Sequence, residues 1–270
     1  MILVDFTYDG QSLSEYNCMA CTFEGGNSDT ISNGSTLTLE TITSKQNYKN
    51  TIIDTSYEVI TASFSIAKIN CNDTDDYYFT ASEIANLSKW LNRKTYHKFI
   101  PEYDEDVDDV LYYEATFTSI QPRYVGGQVI GFDLTLTTNA PWGFVDYSIS
   151  KKNITELYLN DDSDDIGVLY PNKFNVKILN GTNIALKITN NIDSGHITQI
   201  NNCNKNEIIQ MDCSHETIQS SGHSTLYNDF NYKFPRLKNT YYNSRNILTF
   251  STPVDVDVRY QVIRKVGIIV

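Results

Sequence analysis

The chain has 270 residues, enough for one large domain or two ordinary ones, and with 40% hydrophobic and 20% charged residues it lies far from the profile of a disordered chain. A formal net charge of −12 argues against tight binding to a polyphosphate, and no run of Lys and Arg with interleaved aromatics supplies a single-strand groove. No stretch approaches the roughly 20 apolar residues of a membrane-spanning helix, and Met1-Ile2-Leu3-Val4-Asp5 lacks the regions of a secretion signal, so a soluble protein made in a cytoplasm is expected.

In chain order, the first signal after Asp5-Phe6-Thr7-Tyr8-Asp9-Gly10 is Cys18-Met19-Ala20-Cys21, which has the spacing of half a zinc site. No second pair follows at zinc-ribbon distance. The five cysteines, Cys18, Cys21, Cys71, Cys203 and Cys213, are odd in number and widely spread, so reduced thiols are expected. The segment from Gly25 to Tyr48 reads as a polar loop too long for an ordinary connection, and so as a candidate subunit contact.

Period-two alternation then takes over. Ile60, Ala62, Phe64 and Ile66 share one strand face, with Thr61, Ser63 and Ser65 on the other. Thr80-Ala81-Ser82-Glu83 is a capping box that opens a helix, and Ile84, Leu87 and Leu91 form its apolar stripe with Trp90 at the flank. Pro101 to Asp109 reads as an acidic hairpin tip. Asp104, Asp106 and Asp108 alternate as in an EF-hand, but Asp109 and Ala115 stand where the obligatory Gly and closing Glu belong, so no calcium site is expected. Leu111/Tyr113/Ala115/Phe117 and Ile130/Phe132/Leu134/Leu136, separated by Gly126-Gly127, predict an antiparallel hairpin over 111–138.

Beyond Pro141-Trp142-Gly143 the alternation fades into a polar stretch that runs through Asp161 to Asp165, and the domain junction is placed there, with domains at 1–143 and 144–270. Phe174/Val176/Ile178, Ile184/Leu186/Ile188 and Val254/Val256/Val258/Tyr260/Val262 predict short strands of a jelly-roll β-sandwich. The expected fold class is therefore mainly β with one short helix.

Catalytic constellations are absent from the pattern. Gly222-His223-Ser224 has Leu226 where a nucleophile elbow needs Gly, and His215-Glu216 lacks the second His of a zinc protease. No catalytic, cofactor-binding or metal-ligating residue is assigned, and no enzyme activity is expected.

The order of elements carries a resemblance. The strand Asp5 to Gly10, the helix Ala85-Asn86-Leu87-Ser88-Lys89-Trp90-Leu91, the Gly126-Gly127 hairpin and Leu134-Thr135-Leu136-Thr137-Thr138-Asn139-Ala140-Pro141-Trp142 resemble the distal tail protein (Dit) family of long-tailed phages. Asn180-Gly181, Ile184 to Asn190 and Tyr241 to Phe250 are similar to that family's galectin-like C-terminal domain, although Ser244-Arg245 stands where a Gly is often found. The resemblance implies an N-terminal split-barrel or sandwich-like domain with a helix that forms a ring, and a projecting galectin-like domain. It further implies a homo-hexamer at the tail tip or baseplate of a virion, assembled in the host bacterial cytoplasm. That ring would join the tail tube protein to tail-associated, baseplate or receptor-binding proteins, with DNA passing through unbound. An acidic bore would keep the polyanion free.

A reading from another class is a glycan-binding jelly-roll module, with Tyr227, Tyr232, Tyr241 and Tyr242 as stacking platforms. Against it stands the expectation that these tyrosines fill the sandwich core or a subunit interface.

Overall fold

The computed structural model describes residues 2–21, 35–46, 48–69, 77–105, 110–240 and 242–268. The strands of the first half are β1 (Leu3–Tyr8), β2 (Gln11–Ser12), β3 (Cys18–Cys21), β4 (Leu37–Thr43), β5 (Asn50–Tyr57), β6 (Thr61–Lys68), β7 (His97–Tyr103), β8 (Tyr113–Val125) and β9 (Gln128–Thr138), with helix α1 (Ala81–Leu91) before β7. The second half adds β10 (Gly143–Asn160), β11 (Gly167–Leu169), β12 (Lys173–Ile178), β13 (Ile184–Asn190), β14 (Thr198–Cys203), β15 (Ile208–Asp212), β16 (Thr217–Ser220), the single turn α2 (Leu226–Asp229), β17 (Leu237–Asn239) and β18 (Arg245–Arg264). Two compact units result: Met1–Phe144 with Arg264–Val270, and Val145–Ile263.

In the first unit a seven-stranded sheet runs β2-β1-β7-β8-β9-β6-β3. Its centre is the expected hairpin. Gly126 and Gly127 adopt φ of +58° and +84°, the left-handed pair that lets a two-residue turn follow the twist of its strands. Tyr113, Ala115, Phe117, Phe132, Leu134 and Leu136 are buried along it. Ile130 falls outside that stripe, because the register shifts between Arg123 and Tyr124 and Val129 takes the buried position instead.

Helix α1 closes the core. Thr80 Oγ1 accepts from the Glu83 N–H at 3.3 Å, and Glu83 Oε2 accepts from the Thr80 N–H at 2.7 Å, so two free backbone donors are satisfied reciprocally. Leu87 and Leu91 are buried as the stripe predicts. Trp90, expected at the flank, is instead at the centre of the core: it stacks on Phe6 at 5.6 Å and on Tyr16 at 4.4 Å, and its indole N–H donates to the Tyr8 carbonyl at 2.9 Å. The chain end returns to this core, where Ile268 is fully buried and the Val266 carbonyl accepts from the Tyr113 hydroxyl at 2.9 Å.

The second unit carries a sheet ordered β14-β13-β18-β12-β15-β16, with β10 also pairing β18, and a separate two-stranded piece, β11-β17. Phe174, Val176, Ile178, Leu186, Ile188, Val254, Val256, Val258, Tyr260 and Val262 are buried, which is the inward face that their alternation predicts, and the curled sheets form a β-sandwich. The polar stretch at which the domain junction is placed is in large part regular strand. Residues Gly143–Asn160 form one 18-residue strand, most of it exposed, so that partner β18 rather than an apolar pattern fixes it. Asp161 beyond it is buried, with Oδ1 accepting from the Ser163 hydroxyl at 2.6 Å.

Candidate functional site

Part of the segment expected as a long polar loop is one strand of a hairpin arm. Of the segment from Gly25 to Tyr48, residues 25–34 and 47 lie outside the described residues, but Leu37–Thr43 is strand β4, paired antiparallel with β5 from Leu37 opposite Tyr57 to Thr43 opposite Asn50. The two form a sheet of their own. Every residue of both strands is exposed. Yet Leu37, Leu39, Ile42, Ile52, Ile53 and Tyr57 are large and apolar, with Leu39 at 47% and Ile42 at 59% exposure.

Sequence explains how the arm forms but not why it stays bare. Thr, Ile and Leu favour extended backbone, and Thr43 Oγ1 donates to Asn50 Oδ1 at 2.8 Å near the tip. The base is anchored: the Tyr57 ring meets Trp142 edge-on at 6.0 Å, and the Lys265 ammonium lies 5.1 Å from the same ring. A two-stranded hairpin alone in water is marginal; among the described residues no further strand pairs its edges, and those edges and its apolar side chains are the features that another chain would cover.

The other sequence candidates resolve as follows. Cys18 and Cys21 lie three residues apart on strand β3, so their side chains leave opposite faces; Cys18 is fully buried and burial pushes its thiol up to about 12, with Glu83 adding to the shift. Asp104 Oδ1 accepts from the Ile2 N–H at 2.6 Å, while Asp106 and Asp108 lie outside the described residues. His215 hydrogen-bonds Asp212 at 2.9 Å on the surface. His223 is held by carboxylates on both ring nitrogens, at 3.0 Å from Glu207 and 2.9 Å from Asp229, so it has no free nitrogen to serve Ser224 as a base.

The three described tyrosines of the four do not fill the sandwich core. Tyr227, Tyr232 and Tyr242 are all exposed, the last completely, and Tyr232 donates its hydroxyl to the Tyr227 carbonyl at 2.8 Å; Tyr241 lies outside the described residues. No helix of the described residues is long and apolar enough to cross a membrane.

The family model described as "Phage tail protein N-terminal domain" matches residues 1–140, and that described as "Phage tail C-terminal domain" matches residues 142–260. Among solved structures, the crystal structure of SPP1 Dit (gp 19.1), titled a paradigm of the hub adsorption apparatus in phages infecting Gram-positive hosts, is similar over 96% of this chain and 99% of its own, at 12% identity and a TM-score of 0.64. A chain of the phage P2 baseplate, in its activated conformation with Ca, is similar over 96% of this chain and 98% of its own, at 9% identity and a TM-score of 0.49. No curated protein matches the sequence.

Proposed function

From the premise that this chain belongs to the phage tail protein family, both of whose domain models it matches, we propose that it is a tail-tip hub whose copies close into a hexameric ring. The ring joins the tail tube to the baseplate and its tail-associated proteins, and the role is architectural, without a catalytic step. Assembly takes place in the cytoplasm of the host bacterium. Likeness of fold to the SPP1 hub protein over the full length supports this reading, as does the strongly acidic chain, which leaves DNA free to pass.

The observation that carries the proposal is the arm β4–β5. Six large apolar side chains on an exposed hairpin are costly in a monomer and useful in a ring, where a heterologous contact repeats around the axis until it closes. Light scattering tests it: the full chain is expected at several-fold the mass of one copy, and Leu37→Ser/Leu39→Ser/Ile53→Ser at the mass of one. A chain that stays monomeric at high concentration, both alone and with tail tube protein, overturns the ring.

Tyr227 and Tyr232, exposed and tied to each other, favour glycan binding as a second reading. Retention of the full chain on a glycan array, abolished in Tyr227→Ala/Tyr232→Ala, is its test, and no retention removes it.

A further inference from the structure

Three residues that sequence spacing does not connect meet in the second unit. Cys203 ends β14, Glu207 precedes β15, and His223 lies between β16 and α2. One ligand atom from each, the thiol sulfur, a carboxylate oxygen and a ring nitrogen, lie within 4.8 Å of one another. All are withdrawn from solvent: Cys203 is fully buried, and the side chains of Glu207 and His223 are each 4% exposed.

We propose that Cys203, Glu207 and His223 form a binding site for one divalent transition-metal ion of the zinc type, with Asp229 as the residue that orients His223 from the far side.

The donor set points to that ion class. Sulfur, nitrogen and oxygen together suit borderline-soft zinc, whereas calcium and magnesium take oxygen alone. Three protein ligands leave the fourth tetrahedral position to water. Bond lengths of about 2.0–2.3 Å place tetrahedral ligands about 3.3–3.7 Å apart. The Glu207 to His223 separation of 3.0 Å opens by a few tenths of an ångström, and the sulfur, within 4.8 Å of both, closes by up to about an ångström, within reach of small side-chain rotations.

The surroundings match what such a site needs outside its ligands. With Nδ1 facing the ion, Nε2–H donates to Asp229 at 2.9 Å, the carboxylate–histidine–metal arrangement that fixes ring and tautomer. Asp229 is itself held by the Thr225 hydroxyl at 2.6 Å and the Asn202 amide at 2.8 Å. Glu207 accepts from the Ser220 hydroxyl at 2.7 Å and from the Asn204 N–H at 2.8 Å. The Cys203 thiol has the backbone carbonyls of Ile200 at 3.4 Å and Asn201 at 3.7 Å as alternative acceptors, with no side-chain partner to displace among the described residues.

Two carboxylates, Glu207 and Asp229, flank the ring of His223, so a cation meets negative charge there, and a divalent ion bound by the Cys203 thiolate displaces the thiol proton to solvent.

The test uses the full chain, stripped with a chelator and titrated with Co2+ as a visible probe, then with Zn2+. Expected are one ion per chain by elemental analysis, a thiolate-to-cobalt charge-transfer band with tetrahedral ligand-field bands, and a raised melting temperature. Cys203→Ser removes the band and Cys21→Ser keeps it. Should Cys203→Ser fail to fold, Asp229→Asn decides: it keeps the band but binds about 10–100-fold more weakly. Absence of a retained ion, a band that survives in Cys203→Ser, or equal affinity in Asp229→Asn overturns the proposal. An ion-free result leaves the cluster as a proton-held ion triad. Ring formation by the arm is read separately by mass, so either proposal can fail alone.

Discussion

The hairpin β8–β9 and the arm β4–β5 are both antiparallel pairs in the first unit, and both are rich in Thr and aliphatic residues. The first has β7 and β6 on its two edges and a buried aromatic face; among the described residues the second has neither, and all its residues are exposed. Local composition makes a strand in each case. What differs is whether the same chain supplies the cover, and the arm's missing cover is the physical content of a self-assembling reading.

The largest expected effect breaks the covered side of this comparison. Trp90→Ala removes the ring that stacks between Phe6 and Tyr16 and the donor to the Tyr8 carbonyl, 82 residues away in sequence. Truncating a buried Trp costs about 3–5 kcal/mol, read as a lowered denaturation midpoint by circular dichroism. A loss below about 1 kcal/mol would mean that the core under β8–β9 is not organised around this residue.

Next in size is the tie between α1 and β6. Lys68 has a side chain only 2% exposed, and its ammonium meets Glu83 Oε1 at 2.8 Å. Glu83→Gln leaves that charge without its carboxylate, and because Glu83 is 39% exposed and water relieves part of the cost, about 2 kcal/mol is expected, below the full loss for a buried pair. Burial would raise the Glu83 carboxyl, but Lys68 and the Thr80 N–H and hydroxyl hold it below the usual glutamate range. Its contribution is therefore present above the unfolded value of about 4.3 and disappears as pH falls through the lower folded value. The variant is expected to lose this part of the acid limb in melting temperature against pH, and an unchanged limb would count against the pair.

How much was legible in the sequence follows the same division. The Gly126-Gly127 turn, the Thr80 capping box and the alternation of Val254 to Val262 declare themselves because each demand is local. Trp90 was misplaced at the helix flank because its environment comes from Phe6 and Tyr16, far upstream. Strand β10 was unreadable because few of its residues are buried and its ladder with β18 is a long-range pairing. Strand β4 reads as loop in the sequence because polar Thr, Ser and Asn around it outweigh a pattern with no buried face to keep it clean. Cys203, Glu207 and His223 leave no motif at all, since only the meeting of the β14–β15 turn with the loop after β16 assembles them.

A smaller effect sharpens the comparison at the turn. Nothing lies within 4 Å of a Cβ built on Gly127, so Gly127→Ala tests the backbone alone at φ +84°. About 1 kcal/mol of destabilisation is expected from the left-handed penalty. A neutral result would show that the turn relaxes without disturbing the pairing of β8 and β9.

The smallest stability effect is the most telling. Leu37→Ser/Leu39→Ser changes two exposed apolar side chains, so little buried area is lost and no core cavity is made. Substitutions at such positions fall within about 0.5 kcal/mol of zero, and denaturant unfolding at concentrations low enough that parent and variant are both single copies is expected to overlay. If the arm is an assembly element, the pair of changes lowers the particle mass while leaving that curve in place. A marked loss of stability without a change in mass would reverse the reading: the arm would then be covered within its own chain, and the contrast with β8–β9 would vanish.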